Sequence, residues 1–272
     1  MAQPAPEASI GVFDSGVGGL TVLHECLVSL PEEDYLYLGD DARFPYGSKT
    51  LEELRECVER DTRFLLDRGA KLIVIACNSA ATAGLETARD IAAERDVAVV
   101  AVIEPESEIA AAITDSGRVG VLATRATVEG GAYLRSLATQ HRELTVTQVA
   151  APDLAAIIQR GFPFSEAVVD QVRAYCAPLH RAQVDTVILG CTHYPLLTGV
   201  ISYVMGDDIT LVSSAEETAK DVFRTLVADG LRRPDGLPEP EHEFLTTGAP
   251  EEFRELAHRF LGPEVTAVEK FR

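Results

Sequence analysis

The chain has 272 residues, 46% hydrophobic and 25% charged, enough apolar material to bury the core of one large soluble domain or of two ordinary ones. A net charge of −19 argues against sequence-independent binding to nucleic acid or to anionic membranes, and leaves any anionic ligand to be held by local donors.

Met1–Ser9 reads as a short polar tail without a basic start or an apolar signal segment, and no apolar run reaches the roughly 20 residues of a membrane helix. From there, apolar strand-like runs alternate with amphipathic stretches: SIGVF, DYLYLG, KLIVIA, VAVVAVI, RVGVLA, LTVTQVA, DTVILG and ITLV. TLEELRECVERDTRFLLDRG between the second and third runs reads as a helix with Gly69 past its end. Pro178 predicts a kink or break in a helix over Ser165–Ala182. Apolar strands separated by helices imply parallel sheet covered on both faces. RRPDGLPEPEHE, residues 232–243, reads as a surface connection, and FLTTG with a helix from Glu251 as a last strand–helix piece.

Two pairs of segments look alike. IGVFDSGVGGLTV resembles VGVLATRATVEGG, placing Asp14 opposite Thr124, and KLIVIACNSAATA resembles DTVILGCTHYPLL, placing Cys77 opposite Cys191. The expected fold is α/β, with two similar lobes that are each a mainly parallel sheet flanked by helices, and an active site in the cleft between them. Residues 1–100 with 208–272 form the first, discontinuous lobe and residues 101–207 the second. Ligands of open α/β sheets bind beyond the carboxyl ends of the strands, so such lobes aim both thiols at one cleft.

The five cysteines are odd in number and lack a C-x-x-C pair, which fits reduced thiols in a cytoplasm rather than a disulfide framework or a structural zinc site. Cys26, Cys57 and Cys176 lie inside helical segments and read as packing residues. Cys77 and Cys191 each end a strand, precede small polar residues and open a helix, a setting that favours thiolate and supplies free N–H donors. Two such thiols without a metal suit inversion of a stereocentre beside a carboxylate: one removes the Cα proton and the other returns a proton to the opposite face. His193 is the candidate to manage the proton of Cys191, and Asp14 that of Cys77; each also has a packing or capping alternative. DSGVGGLT lacks the last glycine of a dinucleotide loop, no phosphate-binding G-x-x-x-x-G-K-[ST] occurs, and Ala83 and Leu197 stand where a phosphate-transferring cysteine loop carries arginine. His24, His141, His180, His242 and His258 have no metal-ligand spacing.

FDSGVGGLTVL, YLGDDARFPYG, ACNSAATA and LGCTHYPLL, in this order and spacing, resemble the glutamate racemase family of cofactor-independent, two-cysteine racemases, from Ile10 to the helix after Ser214. The resemblance implies Cys77 and Cys191 as catalytic acid/bases assisted by Asp14 and His193. It places substrate binding on Asp14, Ser15, Pro45, Tyr46, Gly47, Asn78, Ser79, Thr192 and His193, with the Asn78 amide among the donors to carboxylate. It further implies a homodimer that converts L- and D-glutamate without pyridoxal phosphate, metal or nucleotide and supplies D-glutamate for peptidoglycan. The chain departs from the family pattern at Ser79, where threonine is usual, at Gln159, where many members carry a glutamate behind the histidine, and at Glu106, which replaces a glycine. The rival readings are a racemase for aspartate or a hydantoin, a non-catalytic amino-acid-binding module, and an interaction protein that uses its acidic surface.

Overall fold

The computed structural model describes residues 4–160, 165–262, 265 and 267–271, so the first three residues of the N-terminal tail lie outside it. The first part of the chain runs β1 (Ile10–Asp14), α1 (Leu20–Ser29), β2 (Tyr35–Gly39), α2 (Leu51–Asp67), β3 (Leu72–Ile75), α3 (Asn78–Ala93), β4 (Ala98–Ala101) and α4 (Ile103–Ile113). Next come β5 (Arg118–Ala123), α5 (Arg125–Gly130), α6 (Ala132–Ala138), β6 (Thr145–Ala150), α7 (Leu154–Gln159), α8 (Glu166–Arg181), β7 (Thr186–Gly190), α9 (Thr198–Met205) and β8 (Thr210–Val212). The chain closes with α10 (Ser214–Ala228), β9 (His242–Thr246), α11 (Pro250–Phe260) and β10 (Glu269–Lys270).

The strands form two parallel sheets, one in the order β10-β9-β2-β1-β3-β4 and the other β6-β5-β7-β8. Four strands of the first sheet thus repeat the order of the second, and β9 and β10 extend the β2 edge. The central strands β1, β3 and β7 are buried at every position, as continuous apolar runs between two helical layers must be. The repeat corrects one sequence register. Phe13 pairs with Ile75 and Leu122 with Leu189. With the cysteines matched, Thr124 therefore falls opposite Ser15, and Ala123 opposite Asp14. β8 belongs to the second sheet although it lies beyond residue 208.

Local chemistry accounts for most element ends. Thr50 accepts from the Glu53 amide and the Glu53 carboxylate accepts from the Thr50 amide, a reciprocal cap that starts α2; Gly69, at φ +82°, ends it. The apolar run VAVVAVI is strand only to Ala101, because Val102 and Ile103 already enter α4. α8 shows no break: Pro178 lies in its last turn and the helix continues to Arg181. Among the described residues, no helix is long and apolar enough to cross a membrane.

Candidate active site

Cys77 and Cys191 line one cavity, from opposite sheets. β3 carries Cys77 just beyond its carboxyl end, and β7 does the same for Cys191. The cavity holds about 20 Å³ and is walled by Ser15, Tyr46, Gly47, Asn78, Ser79, Thr192 and His193, together with Phe44, Pro45, Thr124, Pro152 and Ala155. Every sequence-derived site residue except Asp14 reaches its wall. Asp14 is fully buried behind it, with Oδ1 accepting from the Gly16 amide at 2.9 Å and Oδ2 from the Thr192 hydroxyl at 3.1 Å.

The two thiols are set differently. Cys77 is the residue before α3, at a helix start whose field favours a thiolate, although its sulfur makes no capping hydrogen bond there. Cys191 does not open an α-helix: a turn and a 3₁₀ segment, Tyr194–Leu197, separate it from α9. Burial pushes the Cys77 thiol up to about 12, and the Asp14 carboxylate adds to this, while the Ala80 amide and Ser15 favour the thiolate. Cys191 is also raised by burial, with the His193 and Tyr194 amides acting the other way. Both sulfurs are therefore thiols near neutrality, and either needs an adjacent base to become nucleophilic.

Each has one close by. Asp14 is raised to about 6 by burial, against the Gly19 and Gly16 amides and the Thr192 hydroxyl. His193 is lowered to about 4 by burial and is neutral. Its Nδ1 lies 4.0 Å from the Cys191 sulfur and its Nε2 2.8 Å from Gln159 Oε1. Phe44 packs against the imidazole at 5.4 Å between ring centres. A Cβ on Gly18 would lie 2.3 Å from His193 Nδ1, so this position in the turn after β1 has to be glycine.

Tyr46 is held from behind by a buried charge cluster. Its hydroxyl donates to Asp40 at 2.6 Å and lies 3.2 Å from an Asp61 oxygen, and Arg60 bridges the two carboxylates at 2.6 and 2.8 Å. Burial raises Asp40, but the Tyr46 and Thr247 hydroxyls and Arg60 outweigh it and hold that carboxyl below its ordinary value. Ser79 joins Thr124 and Thr127 in a hydroxyl cluster, at 2.8 and 3.3 Å, that ties α3 to α5.

Some groups around the site were not singled out as such by the sequence. Glu106, noted there only as a replacement of a glycine, is fully buried and accepts from the Asn78 amide at 3.1 Å and from the Tyr133 hydroxyl; burial holds it well above the carboxylate range. The Asn78 amide also donates to Tyr133 at 2.7 Å. Both amide protons of Asn78 are thereby used, and its Oδ1 has no partner among the described residues. Asn78 thus has an unpartnered acceptor and no free side-chain proton among the described residues. No spacing signals the Asn78–Glu106–Tyr133 contact, because its members lie on three different helices.

The Asp/Glu/hydantoin racemase family model matches residues 20–222. The chain is 52% identical to a glutamate racemase of Parafrankia sp., over 96% of this chain and 93% of that one. Among solved structures, a glutamate racemase of Bacillus anthracis superposes with a TM-score of 0.90 at 37% identity, covering 98% of this chain and 97% of the other. One from Francisella tularensis, solved in complex with D-glutamate, superposes with a TM-score of 0.88 at 29% identity, covering 98% and 97%.

Proposed function

The chain belongs to the Asp/Glu/hydantoin racemase family and is an isomerase, an amino-acid racemase; on that premise we propose that it interconverts L- and D-glutamate with Cys77 and Cys191 as its two acid/bases. The observation that carries this reading is the placement of two buried thiols, one from each sheet, on the wall of a single cavity. One sulfur, as thiolate, takes the Cα proton; the other, as thiol, gives a proton to the opposite face. Each turnover leaves the pair with its protonation exchanged, and the reverse reaction uses the opposite assignment.

Asp14 on the Cys77 side and His193 on the Cys191 side each hold the proton of the neighbouring sulfur in the direction in which that sulfur acts as the base, while the other sulfur keeps its own. The α-carboxylate, on which charge develops as the Cα proton leaves, is met by fixed donors, the Ser15 and Ser79 hydroxyls and the Thr192 amide, instead of by a lysine or arginine. Asn78 Oδ1, unpartnered among the described residues, accepts from the α-ammonium group. Tyr46 and Gly47, with Pro45 before them, wall the side-chain end.

We assign the lobes as residues 1–100 with 208–272 and 101–207, with β8 moved to the second because it pairs with β7. The cellular setting that goes with this reading is a cytoplasmic homodimer making D-glutamate for peptidoglycan.

Cys77→Ala and Cys191→Ala test the mechanism. Each is expected to fold, to bind glutamate, and to lose racemisation by more than about 100-fold, since acid–base groups of this kind supply roughly 10²–10⁴. Full activity in either variant contradicts a two-thiol reaction. Turnover of aspartate or a hydantoin in preference to glutamate would reassign the substrate while leaving the family in place.

A further inference from the structure

His193 is buried and neutral, so it carries one ring proton, and the nitrogen that holds it decides what the imidazole can do for Cys191. Nδ1, 4.0 Å from the sulfur, can take the thiol proton only while the ring proton sits on Nε2. Nε2 faces Gln159 Oε1 at 2.8 Å. A glutamine alone does not fix that state, because its amide presents oxygen or nitrogen equally well after a half-turn.

The other end of the Gln159 amide removes the ambiguity. Gln159 Nε2 lies 2.9 Å from Asp41 Oδ1. A carboxylate only accepts, so the amide nitrogen has to point at Asp41, the amide oxygen at His193, and the imidazole proton onto Nε2. Asp41 lies in the short helical turn Asp41–Arg43 after β2, and Gln159 at the end of α7, beside the second sheet. Glycine at position 16 keeps the junction open, since a Cβ there would lie 3.2 Å from Asp41 Oδ1 and 3.4 Å from Gln159 Nε2.

We propose that Asp41 is a positioning residue of the racemase reaction: through the Gln159 amide it fixes the His193 tautomer that leaves Nδ1 free to accept the proton of Cys191. This rests on the two-thiol reading above. The carboxylate touches neither substrate nor sulfur and acts only by orienting the amide. It also makes the histidine state depend on a contact between segments that carry the two sheets, so the Cys191 base is set when those segments are together.

The test reads the tautomer without turnover. In protein labelled with ¹⁵N-histidine, proton-detected ring-nitrogen spectra, with His193→Gln to assign the signal, are expected to place the proton of His193 on Nε2. Asp41→Ala should shift this signal toward a mixture of the two tautomers and lower kcat by roughly 10- to 100-fold with KM little changed, a part of what positioned acid–base assistance supplies. Asp41→Ala combined with Gln159→Glu should restore both, because a carboxylate at 159 accepts from Nε2 unaided; Gln159→Glu alone sets two carboxylates against each other and should recover less. An unchanged tautomer in Asp41→Ala overturns the proposal, as does a loss that the double variant fails to rescue, which would make Asp41 merely structural. A protein that shows the tautomer shift but racemises no amino acid would keep the Asp41 relay and remove the reaction assigned to it.

Discussion

Asp14 shows what a buried charge costs a fold and why one is kept. Its carboxyl stands at about 6 inside the protein against an ordinary 3.8, chiefly because burial disfavours the ion. Between about pH 4 and pH 6 the native state therefore holds a proton that the unfolded chain has released, and stability falls as pH rises through that window. Above it the loss is complete, on the order of 3 kcal/mol at 1.36 kcal/mol per pH unit. Asp14→Asn is expected to be more stable than the parent at pH 7.5, by up to about that amount, with the advantage gone below about pH 4. Urea unfolding at the two pH values measures this. The same variant should be nearly inactive, and the parent's kcat/KM should fall as pH drops through about 6, where Asp14 takes up its proton. An acid limb near pH 4 instead would point to His193, the buried group that titrates there. At this scale the residues with reactive chemistry were legible, since a thiol after an apolar strand is visible in one dimension. Asp41 and Gln159, 118 positions apart, and Asn78 and Tyr133, 55 apart, meet only through tertiary packing, and their side chains are ordinary.

The elements position these groups through their ends. β1, β3 and β7 stop at Asp14, two residues before Cys77 and one residue before Cys191, so the carboxyl edges of two sheets bring these groups together. The turn after β1 and the first turn of α1 pack directly on the turn after β7: Gly18 abuts His193, and Thr21 Oγ1 lies 3.3 Å from the Thr192 carbonyl. Gly18→Ala would drive a methyl group into an imidazole already held by Gln159 and Phe44. It is expected to cost roughly 1–3 kcal/mol of stability, as overpacking does, and to lower kcat by about 100-fold through displacement of His193. Thermal unfolding and steady-state rates check the two effects separately; a variant with normal kcat would show that the histidine tolerates the shift. Strands and long helices were legible because burial on two faces writes a continuous apolar run and an amphipathic helix writes its own period. The exceptions have local causes. Pro178 sits so near the end of α8 that less than one turn follows it, and Pro195 helps hold the chain after Cys191 in a 3₁₀ segment before α9 begins.

At the scale of the whole molecule, the repeated strand order of the two sheets creates the site, since neither sheet supplies both thiols. The repeat is chemically unequal: the position matching Asp14 is Ala123, and the second sheet carries a histidine two residues after its cysteine where the first has a strand-end carboxylate. The overall charge of −19 surrounds a site proposed to take an anion. Long-range repulsion should slow encounter at about 0.01 M salt, where the screening length is about 30 Å, and fade at about 0.15 M, where it is about 8 Å. A modest rise of kcat/KM with salt is expected, and a fall would reveal a cationic path to the cavity. The central claim, proton exchange at Cα by the protein's own groups, is tested most directly by incubating the purified chain with L-glutamate in deuterated water without added cofactor, following optical rotation and deuterium at Cα. The account expects rotation to decay to zero, with deuterium at Cα of the D-glutamate formed. Racemisation with the original proton retained at Cα, or no change in rotation while glutamate still binds, would contradict it.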